Sequence, residues 1–473
     1  MELNEFVDRL CQRILQYIES GQKPGKLVEY VPADSLSKTS DIHLPLEGRG
    51  TEAVFDDIDE FLRKSVKTNR AEFMNPLWGG LNTTGFAGEV ITALTNTSMY
   101  TYELAPFATL IEQTILKRMG ELVGFSDGGG TMATGGSNGN MLGMLCAREV
   151  AFPSSTHKGI DGTKMAAFVS AESHYSVLMS ANVIGIGHQN LFKIPVDEDG
   201  RMRPDALRDE IRRAKDEGLT PFCVVSTSGT TVRGAFDSLI EIGQIAHDEG
   251  IWHHVDAAWG GSALFSNQLS SLMKGVELAD SVCWDPHKMM GLPLICSAFL
   301  VKQPEVLAKV CAHGNVAHYL FHESSRDYDL GRYSLQCGRR NDALKLWLAW
   351  RECGDAGWAS LVENYISLAD HLQTRIDDHP QLEMMSSREW TNVCFRYVPR
   401  KDMDFNEMNS ELRLRIMQNA DFMVSRSNIG EDVVIRSVIS NPGITVSTLD
   451  AFIDEVLRIG NDIEQGLPRE TPY

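Results

Sequence analysis

The sequence predicts an α/β protein whose largest domain contains a mostly parallel sheet. Between about residues 135 and 285, short apolar runs typical of buried strands alternate with helical patterns of about 10 to 15 residues. Strand–helix–strand units of this kind join parallel strands through right-handed crossovers. Beyond about residue 350, helical patterns dominate and the strands are short, which predicts a smaller C-terminal α+β domain.

The N-terminal part of the chain is predicted to be helical and extended. Its first helix is amphipathic, and one apolar face is formed by Val7, Leu10, Ile14, Tyr17 and Ile18. Its acidic residues and its lack of a basic leader argue against a secretory signal. Further helices are predicted over residues 51–70 and 105–123. We expect three parts: residues 1–90, 91–350 and 351–473.

The strands of the two C-terminal parts are predicted from apolar and β-branched runs. In the large domain these runs are KMAAFVSAE (164–172), LFKIPV (191–196), PFCVVSTS (221–228), IWHHVDAAW (251–259) and SVCW (281–284). The helices between them are predicted near residues 136–147, 176–186, 204–218 and 237–250. In the small domain the predicted strands are TNVCFRYV (391–398) and DVVIRSVI (432–439).

The composition is that of a globular protein from a reducing compartment. The chain has 473 residues and a formal charge of −20, which argues against non-specific binding to nucleic acid or anionic membranes. Its longest apolar run, about eleven residues, is shorter than the roughly 20 that a membrane-spanning helix needs. The nine cysteines include no Cys-x-x-Cys pair, so we expect neither disulfides nor a metal site. These features predict a cytoplasmic location.

Candidate functional residues follow the predicted strands, where ligands bind in open α/β sheets. Gly135–Asn140 precede a helix, and their backbone N–H groups could hold a phosphate, although a glycine-rich turn with an Asn cap accounts for the same residues. His174 and Tyr175 follow one strand, and a hydroxyl-rich turn at Gly229–Thr231 follows another. A single histidine at such a position is more often structural than functional.

An acid and an amine complete this set. Asp256 ends a strand, where an aspartate is often only a helix cap or a hydrogen-bond anchor. Lys288 lies between a strand and an apolar stretch, where an unpaired charge is costly to bury. Together, a phosphate cradle, an aromatic base, an acid and an amine suit pyridoxal phosphate, which uses a lysine for its Schiff base and an aspartate at its pyridine nitrogen. A lysine bonded to the cofactor no longer carries a free ammonium, which relieves the cost of burial.

Several sequence blocks, in order along the chain, carry a specific resemblance. They include NTSMYTYELAPF, SHYS, SGTTVRGAFD, HVDAAWGGS, DPHKMMG, AHYLF, QCGRRNDALKLWLAW and TNVCF. From about Met74 to its C-terminal region, the chain resembles the group II pyridoxal-phosphate decarboxylases, in the branch of the glutamate and cysteine sulfinate decarboxylases. The resemblance implies an aspartate aminotransferase-like large domain (fold type I of the pyridoxal-phosphate enzymes) with mostly parallel strands.

The resemblance also implies the roles of the site residues. Lys288 would form the Schiff base, Asp256 would contact the pyridine nitrogen and His174 would stack on the ring. Tyr319 matches a tyrosine on a mobile loop of these homodimers. That tyrosine reaches the active site of the neighbouring subunit and returns a proton to the substrate α-carbon. A phenylalanine at this position would favour oxidative side chemistry. The other implied cofactor contacts are Gly136, Ser137, Thr227 or Ser228, Ala258 and His287.

Substrate recognition is where the chain departs from the family pattern. Arg436 matches an arginine that holds a substrate carboxylate in the glutamate enzymes. In the stretch NPLWGG, Pro76 replaces a glutamine, and Trp78 and Gly79 follow as candidate substrate contacts, although Trp78 could simply pack. Asp285 stands where the family often has asparagine, and a carboxylate near a phosphate is repulsive unless it is turned away or hydrogen-bonded.

The resemblance therefore implies an α-decarboxylase for a small acidic amino acid, namely aspartate, cysteine sulfinate, cysteate or glutamate. Three alternatives stay open from the sequence. The enzyme could decarboxylate an apolar or aromatic amino acid, or it could catalyse another pyridoxal-phosphate reaction such as a transfer or aldehyde synthesis. The chain could also be a catalytically silent binding protein, although the presence of Lys288, Asp256, His174 and Tyr319 argues against this.

Overall fold

The computed structural model describes residues 1–153, 155–160, 164–312 and 327–469. The helices in these ranges are α1 (Leu3–Gly21), α2 (Ala33–Thr39), α3 (Thr51–Lys64), α4 (Thr83–Thr95), α5 (Pro106–Val123), α6 (Gly136–Ala151), α7 (Ser155–Lys158), α8 (Ser176–Val183), α9 (Pro204–Asp216), α10 (Leu239–Glu249), α11 (Pro304–Val310), α12 (Ala343–Asp377), α13 (Phe405–Asn419) and α14 (Val446–Glu464). The strands are β1 (Phe73–Met74), β2 (Gly129–Ala133), β3 (Met165–Ser170), β4 (Leu191–Ile194), β5 (Thr220–Thr227), β6 (Trp252–Asp256), β7 (Ser281–Trp284), β8 (Ser297–Val301), β9 (Leu382–Met384), β10 (Asn392–Tyr397), β11 (Met423–Ile429) and β12 (Asp432–Val438).

The chain divides into two compact units. The smaller unit consists of Met1–Gly80, Leu368–Met385 and Val393–Tyr473, and the larger one of Leu81–Ser367 and Ser386–Asn392. The N-terminal segment and most of the C-terminal part thus belong to one unit. The division into independent domains at residues 90 and 350 stays a prediction.

A seven-stranded sheet forms the centre of the larger unit. Its strand order is β2-β8-β7-β6-β5-β3-β4. The four pairings from β7 to β4 are parallel, and β8 is antiparallel to both β7 and β2. All residues of β3, β6 and β7 are buried, as expected for parallel strands that are covered on both faces. The expected mostly parallel sheet is confirmed.

Helix α6 packs closely against this sheet because two of its residues are glycines. A Cβ atom on Gly139 would collide with the Cys283 sulfur on β7, and one on Gly143 would collide with the His254 ring on β6. The absence of side chains at these positions allows the helix backbone to approach the strands. This approach brings the N-terminus of α6 to the carboxyl ends of the strands.

The smaller unit contains a five-stranded sheet of order β1-β11-β12-β10-β9. Strands β11 and β12 form an antiparallel hairpin, and β1 pairs in parallel with β11 through Phe73 and Met74. The predicted N-terminal helix is present as α1, and its Phe6 ring lies 4.9 Å from the Phe55 ring on α3. In the part of the chain that the structure describes, no helix is both long enough and apolar enough to cross a bilayer.

Candidate active site

The carboxyl ends of four adjacent parallel strands bring the predicted site residues together. Thr227 ends β5 directly opposite Asp256, which ends β6, and the Ser228 N–H donates to the Asp256 carbonyl oxygen at 2.9 Å. Lys288 follows β7, and His174 follows β3. The sequence-predicted acid, amine and aromatic base therefore lie at one edge of one sheet, as ligand sites do in α/β folds.

Asp256 is buried and held by two donors. Its Oδ2 accepts a hydrogen bond from Asn140 Nδ2 at 2.8 Å, and its Oδ1 accepts one from the Ala258 backbone N–H at 3.1 Å. Only 5% of the residue is exposed. Hydrogen bonds to the charged form favour a carboxylate over a carboxylic acid. Asp256 is thus suited to hold a proton on a nitrogen placed against it.

The orientation of Asn140 is set by a chain of buried hydrogen bonds. Asn140 Oδ1 lies 3.0 Å from His254 Nε2, and His254 Nδ1 lies 2.8 Å from Ser281 Oγ. Burial lowers the pKa of His254 to about 4, so its ring is neutral and can donate through Nε2 while Nδ1 accepts from Ser281. Asn140 Nδ2 is then directed at Asp256. The sequence indicated Asn140 only as part of a turn, so this contact was not predicted.

His174 is connected to the same network. Its Nδ1 lies 2.8 Å from Ser176 Oγ, which also accepts from Asn140 Nδ2 at 2.9 Å. Burial lowers the pKa of His174, and the charge on Lys288 adds to this effect, while the Asp256 and Asp285 carboxylates oppose it. The imidazole is therefore favoured in its neutral form, which suits a ring that stacks on a cofactor.

Lys288 is paired with a carboxylate. Its Nζ lies 3.3 Å from Asp285 Oδ2, and its side chain is 19% exposed. Burial lowers the pKa of Lys288, but the attraction of Asp285 and Asp256 outweighs this, so the net shift is upward. Before a cofactor binds, the lysine is thus held as an ammonium ion.

Asp285 is a central contact of this site. Ser297 Oγ donates to its Oδ1 at 2.5 Å, and His287 Nε2 lies 3.7 Å from its Oδ2. His287 is also fixed by its Nδ1, which lies 2.6 Å from the Cys296 carbonyl oxygen. A Cβ atom on Gly136, the first residue of α6, would lie 2.5 Å from Asp285 Oδ2. The carboxylate is thus turned towards the lysine and lies next to the helix N-terminus.

Two buried hydroxyl groups at the end of β5 are available for a ligand. Among the described residues, Thr227 Oγ1 and Ser228 Oγ have no hydrogen-bond partner although both atoms are buried. Such groups cost free energy unless a ligand or water satisfies them. The start of α6, with Gly136 and the exposed Ser137, supplies an N-terminus that favours anions. A phosphate-bearing ring with a pyridine nitrogen and an aldehyde fits this set of residues.

The predicted substrate contacts lie in the smaller unit. Trp78 packs on Phe73 with ring centroids 5.4 Å apart, and a Cβ atom on Gly79 would lie 3.1 Å from the Phe73 ring. Arg436 on β12 is buried, and its Nε donates to Ser425 Oγ at 2.7 Å. Their roles in substrate binding stay predictions. Tyr319 lies outside the described residues.

Comparisons with known proteins agree with this chemistry. Residues 32–398 match the family model described as the pyridoxal-dependent decarboxylase conserved domain. The chain is 36% identical to the acidic amino acid decarboxylase GADL1 of Bos taurus, over 97% of this chain and 91% of that protein. It is also 36% identical to the cysteine sulfinic acid decarboxylase of Homo sapiens, over 93% of this chain and 92% of that protein.

Solved structures confirm the expected fold. The crystal structure of mouse CSAD matches with a TM-score of 0.93 and 32% identity, over 97% of this chain and 98% of that one. The structure of Oryza sativa TDC with PLP and tryptamine matches with a TM-score of 0.90, over 98% of both chains. At 22% identity, this second match supports the fold alone.

Proposed function

Because the chain belongs to the pyridoxal-dependent decarboxylase family, we propose that it removes the α-carboxyl group of a small acidic amino acid as carbon dioxide and leaves the amine. The names of the two relatives support the acidic class of substrate, and the candidates are aspartate, cysteine sulfinate, cysteate and glutamate. The observation that carries the reaction type is that Lys288 and Asp256 lie at the ends of adjacent strands and that Asn140 of α6 donates to Asp256.

Pyridoxal phosphate, when bound, supplies an electron sink for the pair of electrons that the departing carboxyl group leaves behind. The residues of this chain would bind and orient it. Lys288 would supply the amine that holds the aldehyde carbon, and Asp256, which accepts a hydrogen bond from Asn140, would hold a proton on the pyridine nitrogen. We propose that His174 covers one face of the ring and that Ala258 lies under the other. Thr227, Ser228 and the start of α6 would then hold the phosphate.

The direct test is a substrate panel with purified enzyme and added cofactor. Carbon dioxide release would be measured for the four acidic candidates and for leucine and tryptophan as apolar and aromatic controls. We expect release from at least one acidic amino acid and a much lower kcat/KM for the controls. A preference for leucine or tryptophan would contradict the proposed substrate class while leaving the decarboxylase chemistry intact.

The lysine assignment has its own test. In Lys288→Ala, we expect the visible absorbance of the enzyme-bound cofactor to disappear together with activity, because the bond to the aldehyde cannot form. Lys302→Ala is a matched control, since Lys302 Nζ donates to the Glu277 carbonyl oxygen at 2.8 Å and belongs to no predicted contact. Retained absorbance and activity in Lys288→Ala would refute the assignment.

Arg436 is proposed to hold a substrate carboxylate, as its family counterpart does. Burial lowers the pKa of its guanidinium, which nonetheless stays charged at neutral pH. We expect Arg436→Met to raise KM for the acidic substrate by about 10-fold or more, since a charged hydrogen bond contributes roughly 1.5–3 kcal/mol. Arg436→Met should leave the absorbance of the bound cofactor unchanged, and loss of that absorbance would instead indicate a structural role.

We further propose that the enzyme is a cytoplasmic homodimer with a shared active site and that Tyr319 returns the proton to the substrate α-carbon. The support is the family resemblance. In Tyr319→Phe assayed in air, we expect carbon dioxide release to continue while the amine yield falls and aldehyde and ammonia appear, with dioxygen as the oxidant that is reduced to hydrogen peroxide. Light scattering coupled to size-exclusion chromatography would report the dimer. An unchanged amine yield would exclude Tyr319 as the proton donor.

A further inference from the structure

The contacts of Asp285 point to a function that the proposed reaction does not by itself require. Asp285 is 1% exposed, and its Oδ1 accepts the Ser297 hydroxyl at 2.5 Å. Its Oδ2 lies 3.3 Å from Lys288 Nζ. The carboxylate is thus paired with one cation, and one hydroxyl group fixes its orientation.

The same carboxylate lies at the end of a helix where an anion is favoured. A Cβ atom on Gly136 would be 2.5 Å from Asp285 Oδ2, so the carboxylate lies directly against the first residue of α6. Helix N-termini attract anions through their partial positive charge and their unpaired N–H groups. A phosphate bound at this end of α6 would therefore be repelled by the negative charge of the Asp285 carboxylate.

One cation pairs directly with Asp285, whereas Lys345, which acts electrostatically on His287, is itself paired with Glu89 and Asp342. Among the described residues, several titratable groups contact Asp285 or interact with it electrostatically. They are Lys288 and His287 in its own loop, Cys283 on β7, Cys296 before β8 and His174 after β3. Asp256 interacts with Lys288 as well. Burial lowers the pKa of His287 and of His174, so neither imidazole supplies a second positive charge at neutral pH. The positive charge on Lys288 is also the charge that would change when the Lys288 amine bonds to the cofactor aldehyde.

We propose that Asp285 couples cofactor binding to proton uptake: its carboxylate shares the N-terminus of α6 with the cofactor phosphate, and one proton held between the two acids offsets their repulsion. The inference rests on the proposed function, since it takes pyridoxal phosphate as the ligand of this site. Two acids at close range do not both stay ionised, and the pair as a whole retains one proton. The cofactor is then retained less tightly as the pH rises.

The test compares two ligands on two proteins. Cofactor-free wild type and Asp285→Asn are titrated with pyridoxal phosphate and with pyridoxal, which lacks the phosphate, between pH 7 and pH 9. Both aldehydes condense with the Lys288 amine and release one water, so this covalent step is common to both ligands and cancels in the comparison. Asparagine keeps the shape of the side chain and an oxygen for the Ser297 hydroxyl, but it carries no charge.

For pyridoxal phosphate, we expect the dissociation constant of wild type to rise with pH more steeply than that of Asp285→Asn, by up to about tenfold per pH unit for one proton. At pH 9, Asp285→Asn should bind the phosphate-bearing ligand at least about tenfold more tightly than wild type. For pyridoxal, the two proteins should show the same dependence on pH. Calorimetry of wild type in two buffers of different ionisation enthalpy should record the proton taken up.

Asp280→Asn is the matched control. Asp280 is a mostly buried carboxyl group at the opposite end of β7, where it accepts the His253 N–H at 2.8 Å, and its replacement should leave the pH dependence of binding unchanged. If Asp285→Asn does not fold, Asp285→Ser provides a second neutral side chain. The calorimetry of wild type also stands without any variant when pyridoxal phosphate is compared with pyridoxal, because a proton taken up on the pyridine nitrogen is common to both ligands.

Equal pH dependence in wild type and Asp285→Asn would overturn the coupling, as would weaker binding by the variant at every pH. Binding of pyridoxal phosphate to wild type without proton uptake would overturn it too. If wild type binds no pyridoxal phosphate at any pH, the proposed function itself fails and the coupling fails with it. Tight but pH-independent binding, by contrast, contradicts only the role of Asp285.

Discussion

At the scale of single residues, Asn140 links the proposed pyridine-binding carboxylate to the helix that packs on the sheet. It donates to Asp256 and is itself oriented by His254. In Asn140→Ala, we expect kcat to fall by about 10- to 100-fold, since partners that orient a functional group typically contribute this much. Asp256→Ala should lower activity further, by at least about 100- to 1,000-fold, if Asp256 has its proposed role of stabilising developing charge.

The absorbance of the bound cofactor separates a loss of orientation from simple unfolding. Asn140 donates to Asp256 and not to Lys288, so Asn140→Ala should keep the absorbance of the lysine-bound cofactor while kcat falls. The conservative variant Asn140→Asp, which cannot donate to a carboxylate, should not restore activity. A full further loss of kcat when Asn140→Ala is added to Asp256→Ala would show that Asn140 does not act through Asp256.

Asp237 is a second buried carboxyl group, and it contacts the backbone. Its two oxygens accept from the Met202 N–H at 2.6 Å and from the Thr227 N–H at 2.7 Å. Burial raises the pKa of Asp237 to about 7, and the nearby carboxylates of Asp197 and Glu172 add to this effect. The folded protein therefore keeps a proton at pH values where the unfolded chain, with its usual pKa near 4, has released it.

The sign of the resulting pH dependence is fixed. As the pH rises from about 4 to about 7, the folded state binds more protons than the unfolded state, so the contribution of Asp237 to the free energy of unfolding falls, by up to about 4 kcal/mol. Urea denaturation at pH 5, 6, 7 and 8 would measure this in wild type and in Asp237→Asn. We expect the stability difference between wild type and variant to shrink as the pH rises. A difference that grows with pH would contradict the raised pKa.

How far the sequence predicts the site differs from residue to residue. Lys288, Asp256 and His174 follow recognisable strands, and their common position at one sheet edge was expected and is observed. Asn140 could not be assigned, because it lies 116 residues before the carboxylate that it contacts and reads as a turn residue. The orientation of Asp285 depends on the Ser297 hydroxyl, a contact that only folding brings about.

At the scale of elements, the close packing of α6 on the sheet positions the helix N-terminus that is proposed to bind the phosphate. Gly143→Ala places a methyl group against the His254 ring, so we expect a loss of about 1–3 kcal/mol of stability and a weaker affinity for the cofactor. Gly338→Ala is the matched control, because nothing lies within 4 Å of its added methyl group. Thermal unfolding and cofactor titration would compare the two variants.

The strands differ in how well they could be predicted. Strands β3, β5, β6 and β7 are continuous apolar runs, and each was predicted within a few residues of its observed position. The sequence pattern did not predict β2, because Gly129 and Gly130 favour turns over strands. A Cβ atom on Gly130 would collide with the Phe299 backbone of β8. The glycine therefore allows β2 and β8 to lie close together and does not form a turn.

At the scale of the whole molecule, one buried ion pair joins distant parts of the larger unit. Arg339 Nη1 lies 2.8 Å from Glu112 Oε2, and both side chains are at most 2% exposed. The pair also binds backbone groups, since Glu112 accepts the Met132 N–H and Arg339 donates to the Met99 carbonyl oxygen. These hydrogen bonds thus connect α5 and β2 to Arg339, which lies just before α12.

Removal of one partner should leave the other buried and uncompensated. We expect Glu112→Gln to lower the free energy of unfolding by roughly 3–5 kcal/mol, and we expect the double variant Glu112→Gln, Arg339→Met to recover part of this loss. The exposed pair of Arg203 and Asp205 is the control, and Asp205→Ala should have little effect. Chemical denaturation would measure all four proteins. Equal stability of Glu112→Gln and wild type would show that the charge pair contributes nothing.

The pairing of β1 with β11 has a consequence for how the protein is made. Phe73 and Met74 align with Met423 and Val424, so the first strand of the smaller unit has its partner about 350 residues later in the chain. At roughly 5–20 residues per second, a ribosome needs on the order of 20–70 s to synthesise that partner. During this time, Phe73 and Met74 of the nascent chain lack their pairing partner in β11, and their side chains stay exposed. We therefore expect nascent chains released before residue 423 to be bound by chaperones, in amounts that drop once β11 has left the ribosome.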